Sequence, residues 1–192
     1  MIVGTHNSWT YAKPRKWWMR VLAWTGRCQT LSIVEQLARG IRCFDLRIRH
    51  RDGQIVVAHG LIEYSISQHD IAEDLDAIDR VGGCYVRVLH EVRTNKQWRR
   101  SGTDLFCDFC EWARCRYDNI TFFGGRQLYN WEREFDFRTD EPTIEDAYGS
   151  ARRKRSIYAL WPKLYAKRYN SKEYALITDK QVKLMDFIEI TE

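Results

Sequence analysis

No stretch of the chain approaches the roughly 20 consecutive apolar residues that a membrane-spanning helix needs. The opening "MIVGTHNS" also lacks the basic start and long apolar run of a secretion signal. Both absences predict a cytoplasmic chain, or a phage-associated one. There is no internal repeat, low-complexity tract or linker, which excludes solenoids and arrays. The six cysteines in 192 residues lack the dense, regular spacing of a small secreted framework and read as free thiols. "CDFCEWARC" holds one CxxC, but no second pair or histidine follows at zinc-ligand spacing, so Cys107 and Cys110 read as core residues of a helix. No recognition motif for nucleic acid is present, so no specific nucleic-acid partner is expected.

What is there suffices for one sizeable core: 44% of residues are hydrophobic and 14% aromatic, which fits a single domain over 1–192. The net charge of +5 favours an anionic partner: nucleic acid, an acidic membrane surface or a phosphorylated substrate. The basic clusters "RTNKQWRR" and "ARRKRS" read equally as solvated helix ends or loops.

Ser32 and Glu35 in "SIVEQLARG" make a capping box, and Gly40 stops the helix that follows. "IRCFDLRI" then alternates, with Ile41, Cys43, Asp45 and Arg47 on one face and Arg42, Phe44, Leu46 and Ile48 on the other. "RDG" is a turn and "QIVVAHG" an extended stretch ending at His59. A helix in "DIAEDLDAIDRV", a strand in "CYVRVLHEV", a helix in "TDLFCDFCEWARCRY" and a strand in "NITFFGG" continue a βα alternation. From Arg126 to about Glu173 the signals weaken, with a loop "RTDEPTIEDAYGS" and a helix "SIYALWPKLYAKRY" interrupted at Pro162. "VKLMDFIEI" reads as a buried closing strand that includes Asp186.

Alternating strands and helices imply a mainly parallel sheet, whose chemistry collects at the carboxyl ends of the strands. His6 follows the first strand, Asp45 and Arg47 finish the second, His59 comes soon after, and Glu91 ends the third. In a closed barrel the last strand neighbours the first, which brings Asp186 to His6. His6 and His59 can then form a general acid/base pair. His50, His69 and His90 lack such company.

"GTHNSWTY", "SIVEQLARGIRCFDLRI" and "DGQIVVAHG", in that order and spacing, resemble the catalytic X region of phosphatidylinositol-specific phospholipase C, and "LMDFI" resembles its last barrel strand. The resemblance implies a (β/α)8 TIM-like barrel, trimmed or incomplete in its second half, because the chain is short of the typical 250 or so residues. It implies cleavage of the glycerophosphodiester bond of an inositol-type phospholipid, with His6 as general base toward the inositol 2-hydroxyl and His59 as general acid. Asp186 would orient the base, Arg47 would neutralise charge on the phosphoryl oxygens, and Asp45 would be the strand carboxylate. Asn7 and Glu91 would contact substrate.

Asn7 stands where bacterial members have aspartate, as in the calcium-using branch. Asn7, Asp45 and Glu91 could therefore be Ca2+ ligands, but Arg47 occupies the place of a calcium carboxylate, so no cofactor is favoured. "KPRKWWMRVLAWTGR" sets Trp17, Trp18 and Trp24 among basic residues, which suits either a helix packed on the barrel or peripheral contact with an anionic membrane. The alternative to an enzyme is a weak or inactive relative that binds anionic lipid or serves as a structural component.

Overall fold

The computed structural model describes residues 2–91, 104–126, 143–146, 161–174 and 181–190. The clusters "RTNKQWRR" and "ARRKRS", and most of the span between Arg126 and Pro162, lie outside the described residues. In chain order the elements are β1 (Ile2–Thr5), α1 (Trp17–Gly26), α2 (Ile33–Ala38), β2 (Cys43–Arg51), β3 (Gln54–His59), β4 (Ile62–Glu63), α3 (Gln68–Val81), β5 (Cys84–His90), α4 (Asp104–Arg116), β6 (Ile120–Arg126), β7 (Thr143–Asp146), α5 (Pro162–Tyr174), β8 (Gln181–Met185) and a 3-10 turn (Ile188–Ile190).

Six strands run parallel in the spatial order β7-β8-β1-β2-β5-β6. The last strand does neighbour the first: Ile2 to Thr5 pair with Val182 to Met185. The sheet is curled as in a TIM-like barrel. Among the described residues it does not close, since β6 and β7 each have one strand neighbour. The trimmed barrel expected from the chain's length is what the described residues show, and β3 and β4 are antiparallel additions, not barrel strands.

The core is layered as the alternation of β2 requires. Phe44, Leu46 and Ile48 are fully buried beside Ile33 and Leu37 of α2 and Ile71, Leu75 and Ile78 of α3. Both helices begin with the reciprocal capping box, Ser32 with Glu35 and Ser67 with Asp70, which satisfies amide groups that a helix start leaves unpaired. The opposite face of β2 is buried too, but by charge: Asp45 and Arg47 point into the curl. Gly4 lets β1 fit between its neighbours, because a Cβ there would lie 2.5 Å from Leu184 and 3.0 Å from Cys43.

Three local expectations change and a fourth is seen in part. β2 does not finish at Arg47 but runs on to Arg51 and turns through Asp52 and Gly53, both at positive φ, into β3. The loop read in "RTDEPTIEDAYGS" contains a strand, β7, which pairs in parallel with β8. The helix expected on both sides of Pro162 starts at Pro162 within the described residues, as suits a residue whose missing N–H is unneeded in a first turn, and the portion before Trp161 lies outside them. The closing strand ends at Met185, and Asp186 sits one residue beyond it, before the 3-10 turn.

Candidate active site

The strand pairing explains why two histidines 53 positions apart in the sequence meet. β5 occupies one edge of β2 from Cys43 to Ile48, so β1 and β3 must share the other. β1 runs in parallel with β2 and stops after Thr5, opposite Phe44. β3 comes back antiparallel, pairing Gln54 to Val57 with Arg51 to Ile48, and stops at His59. The two strands therefore approach each other head to head along one edge, and His6 and His59 end them. Their ring centroids are 5.5 Å apart with the planes at 90°.

Each ring is held through Nδ1. His6 Nδ1 lies 2.7 Å from Asp186 Oδ1, and His59 Nδ1 lies 2.7 Å from the carbonyl oxygen of Gly26, the last residue of α1. A carbonyl and an ionised carboxylate can only accept, so both Nδ1 atoms donate and each ring keeps Nε2 for chemistry. His6 Nε2 is 4.0 Å from Asp45 Oδ2. Burial, then the neighbouring His6 and Arg47, lower His59 to about 4, against the opposing pull of Glu91 and Gly26.

Asp45 is the hub of the charge. Its Oδ2 accepts from Arg47 Nε at 2.8 Å and from the Asn7 backbone N–H at 3.0 Å. Its Oδ1 accepts from Arg87 Nε at 2.8 Å. Burial pushes the carboxyl upward, but the two guanidinium groups outweigh it and hold Asp45 far below the usual range. Glu91 follows β5; its Oε1 accepts from the Gly60 N–H at 2.9 Å, and its Oε2 lies 3.7 Å from Arg47 Nη1.

The turn that carries His6 is tied to the same hub. Ser8 Oγ accepts the Asp45 N–H, and the Ser8 N–H donates to the Asp45 carbonyl. Asn7 sits at φ 48, a left-handed conformation that asparagine tolerates better than most residues. Its side-chain Oδ1 and Nδ2 are buried with no hydrogen-bond partner among the described residues.

The structure thus brings together His6, Asn7, Asp45, Arg47, His59, Glu91 and Asp186. His69 is exposed on α3, paired with Glu73, whereas His50 and His90 are buried, His90 stacked on Phe106. Cys110 is buried and Cys107 half-buried on α4.

Sequence reasoning missed four residues. Arg87 faces Asp45 across the β2–β5 pairing; a lone arginine between Val86 and Val88 was its signal. Gln29, fully buried, donates from Nε2 to the carbonyls of His6 at 3.1 Å and Met185 at 2.7 Å, clamping the two strand ends that carry His6 and Asp186. Asn170 on α5 donates from Nδ2 to the carbonyl of Asp186 at 2.7 Å. Cys28 places Sγ 3.6 Å from His59 Nδ1. Gln29, Asn170 and Cys28 carried no usable signal, because a single amide or thiol in a polar context reads as surface.

Calcium does not fit the residues considered for it. Both Asp45 oxygens are engaged by guanidinium groups, and Glu91 shares Arg47. A dication bridging Asn7, Asp45 and Glu91 would abut two fixed cations, with at most three protein ligands for an ion that takes six to eight oxygens.

α1 presents its apolar residues outward. Trp17 is 76% exposed and Val21 67%, with Trp18, Leu22 and Trp24 also exposed; only Met19 and Gly26 of the helix are buried. Trp24 packs on Trp161 at 4.6 Å between centroids. No helix of the described residues is long and apolar enough to cross a membrane.

A curled parallel α/β sheet with a buried histidine pair at its carboxyl edge is a TIM-like arrangement. The same fold occurs in phosphatidylinositol-specific phospholipase C from Listeria monocytogenes, with 18% identity and a TM-score of 0.63 over 97% of this chain and 87% of that one. It occurs again in a point mutant of the Staphylococcus aureus enzyme, with 11% identity and a TM-score of 0.66 over 97% and 84% of the two chains. No curated protein matches the chain. Residues 15–82, which include Asp45, Arg47 and His59, match the family "Phosphatidylinositol-specific phospholipase C, X domain". Over residues 15–82 the chain is thus similar to the X domain of that family, and over nearly its whole length it shares the fold of the bacterial enzymes.

Proposed function

We propose that the chain, acting as one catalytic unit, is a phospholipase C-type lyase. It breaks the glycerophosphodiester bond of an inositol phospholipid by attack of the neighbouring inositol 2-hydroxyl on phosphorus. The observation that carries this reading is the pair of buried imidazoles, His6 and His59, whose ring centroids lie 5.5 Å apart. His6 Nε2 takes the proton of the 2-hydroxyl as its oxygen bonds to phosphorus, and His59 Nε2 gives a proton to the diacylglycerol oxygen as that bond breaks. Asp186 keeps His6 in the productive tautomer. Arg47 meets the charge that grows on the phosphoryl oxygens, and Asp45 aims Arg47. Asn7 and Glu91 contact the headgroup. The buried amide of Asn7 suits that role, since a polar group out of water is stable only once hydrogen-bonded. The reaction requires no metal.

His59, at about 4 in the free protein, holds little proton at neutral pH. The phosphodiester anion supplies what the site lacks, because a negative charge beside an imidazole favours its protonated form. It follows that kcat/KM, which reports the free enzyme, falls with rising pH earlier than kcat does. α1 brings the protein to the lipid: its outward tryptophans, flanked by Arg15, Lys16 and Arg20, suit an anionic interface.

The low proton occupancy of His59 also favours a second reading, a relative that binds inositol lipid with little or no turnover. One experiment separates them. Vesicles containing phosphatidylinositol are incubated with the protein and with His6→Ala and His59→Ala, and phosphorus NMR follows the cyclic phosphodiester that intramolecular attack must produce. Expected is a cyclic product from the native chain and a loss of about 100-fold to 10,000-fold in each variant. Vesicle binding without cyclic product from the native chain would establish the second reading, and near-native turnover by either variant would remove that histidine from the mechanism.

A further inference from the structure

One cluster shares His6 and Asp186 with the proposed reaction and adds a thiol, Cys28, that the reaction does not use. His6, Cys28 and Asp186 each offer one donor atom, and the three atoms lie within 4.8 Å of one another. All three residues are buried, at 2%, 0% and 4% exposure. The ring of His59 is close as well, with Nδ1 3.6 Å from Cys28 Sγ; it becomes a fourth donor once its proton moves to Nε2 and its bond to the Gly26 carbonyl is released. The backbone around this set is pinned: the Cys28 N–H donates to Thr10 Oγ1, the Phe187 N–H donates to the Cys28 carbonyl, and Gln29 clamps His6 to Met185.

One thiol, one carboxylate and imidazole nitrogen are the donor set of a borderline-soft divalent ion, not of calcium. With Zn–S near 2.3 Å and Zn–N or Zn–O near 2.0–2.1 Å, a tetrahedral ion wants donors about 3.3–3.8 Å apart. His6 and Asp186, at 2.7 Å, must part slightly and the other donors close in. Side-chain torsions supply both movements while the pinned backbone stays fixed.

We infer that His6, Cys28 and Asp186 form a zinc site, with His59 or a water as fourth ligand, and that zinc bound there switches the protein off. The charge balances: Cys28 loses its thiol proton to solvent, and His6 keeps one ring proton on whichever nitrogen does not ligate. Zn2+, one thiolate and one carboxylate then sum to zero in a buried site, which avoids an uncompensated interior charge. Uptake of one ion releases one proton. The ion also separates His6 from Asp186 and removes the general base. The off-switch rests on the proposed reaction; the binding site does not.

The test therefore begins with binding. Chelator-treated full chain is titrated with Co2+ and then Zn2+. The expected spectrum is that of tetrahedral cobalt with a sulfur-to-cobalt charge-transfer band, lost when one equivalent of zinc is added. X-ray absorption of the zinc-loaded native chain needs no variant and should show one sulfur near 2.3 Å with two or three nitrogen or oxygen neighbours near 2.0–2.1 Å. A shell without sulfur overturns the proposal.

Cys28→Ser should lose the charge-transfer band and at least about 100-fold in zinc affinity, more than the 10- to 100-fold typical of losing an outer-shell partner. It should still cleave lipid, now insensitive to zinc. An unchanged cobalt spectrum in Cys28→Ser would assign the thiolate to Cys107 or Cys115 and also overturn the site. Metal binding in a chain that never yields cyclic product would leave the zinc site standing and defeat the reaction instead.

Discussion

The two walls of the site hold the same side chain in different ways. On the β1–β8 wall, His6 leans on a carboxylate delivered by the neighbouring strand end. On the α1–β3 wall, His59 leans on a peptide carbonyl, with a thiol alongside. A carboxylate can meet the positive charge that a base acquires when it takes up a proton. A neutral carbonyl fixes a tautomer but gives far less support to an imidazolium, so burial dominates and His59 is depressed. The sequence, which shows two histidines in polar turns, does not distinguish these walls. The partners do, and they come from residues 180 and 33 positions away.

The sharpest way to break this comparison is to change the leaving group. On phosphatidylinositol, His6→Ala and His59→Ala should each cost about 100-fold to 10,000-fold. On a soluble inositol ester with a nitrophenol leaving group, which departs without a proton, the His59→Ala loss should shrink to a small fraction while the His6→Ala loss persists. Equal losses on both substrates would mean that the histidines do not divide the work as acid and base.

Next in size is the charge between the walls. Asp45→Asn leaves Arg47, buried at 4% exposure, and Arg87 without their shared carboxylate. Loss of one partner from a buried ion network costs about 3–5 kcal/mol, read as a lower midpoint in urea unfolding. Because the native carboxyl lies below its unfolded value, its contribution is present above about pH 3.9 and drains away as pH falls. The native chain should therefore lose stability on acidification more steeply than Asp45→Asn, and parallel curves would contradict the assigned pairing.

Gln29→Ala acts on the β1–β8 wall alone. It strands two buried carbonyls, at about 1–3 kcal/mol for groups left unsatisfied, and should lower lipid turnover more than the same loss of stability elsewhere does. A variant with normal turnover would show that the clamp does not position His6.

The smallest effect belongs to the outer surface of the other wall. Trp17→Ala with Trp18→Ala should weaken binding to anionic vesicles about tenfold, near 1.4 kcal/mol. Unfolding should shift by no more than about 0.5 kcal/mol, as for exposed positions. Equal losses on vesicles and on the soluble ester would reassign the tryptophans to packing.

Much of this was legible in order along the chain. The capping box at Ser32, the alternation through Asp45 and Arg47, and the βα rhythm up to β6 are local signals, and local structure obeys them. Neighbourhood across the curl was legible once, through the rule that a closing strand lies beside the first. What escaped was set at a distance. "QIVVAHG" reads alike in a parallel or an antiparallel strand, and only the tight turn at Asp52 and Gly53 decides the direction that sends His59 toward His6. β7 is four residues inside an acidic stretch, too short to show a period. "VKLMDFIEI" is apolar enough to read as one strand through Asp186, yet the chain turns at Phe187, which sits at φ 47.

The contact between His6 and Asp186 spans 180 positions of the sequence. At roughly 5–20 residues per second, the histidine leaves the ribosome about 10–40 s before its carboxylate is made. During that interval β1 lacks β8, and the head-to-head arrangement with β3 can form on one side only. Such a long-range pairing also closes late in folding, since its loop entropy must be met before the contact returns anything. A nascent or C-terminally clipped chain ending before β8 should therefore carry all of the stretch that matches the X domain, residues 15–82, and still have an unoriented His6. The orientation of His6 is thereby set by the last ten or so residues described, not by the first sixty.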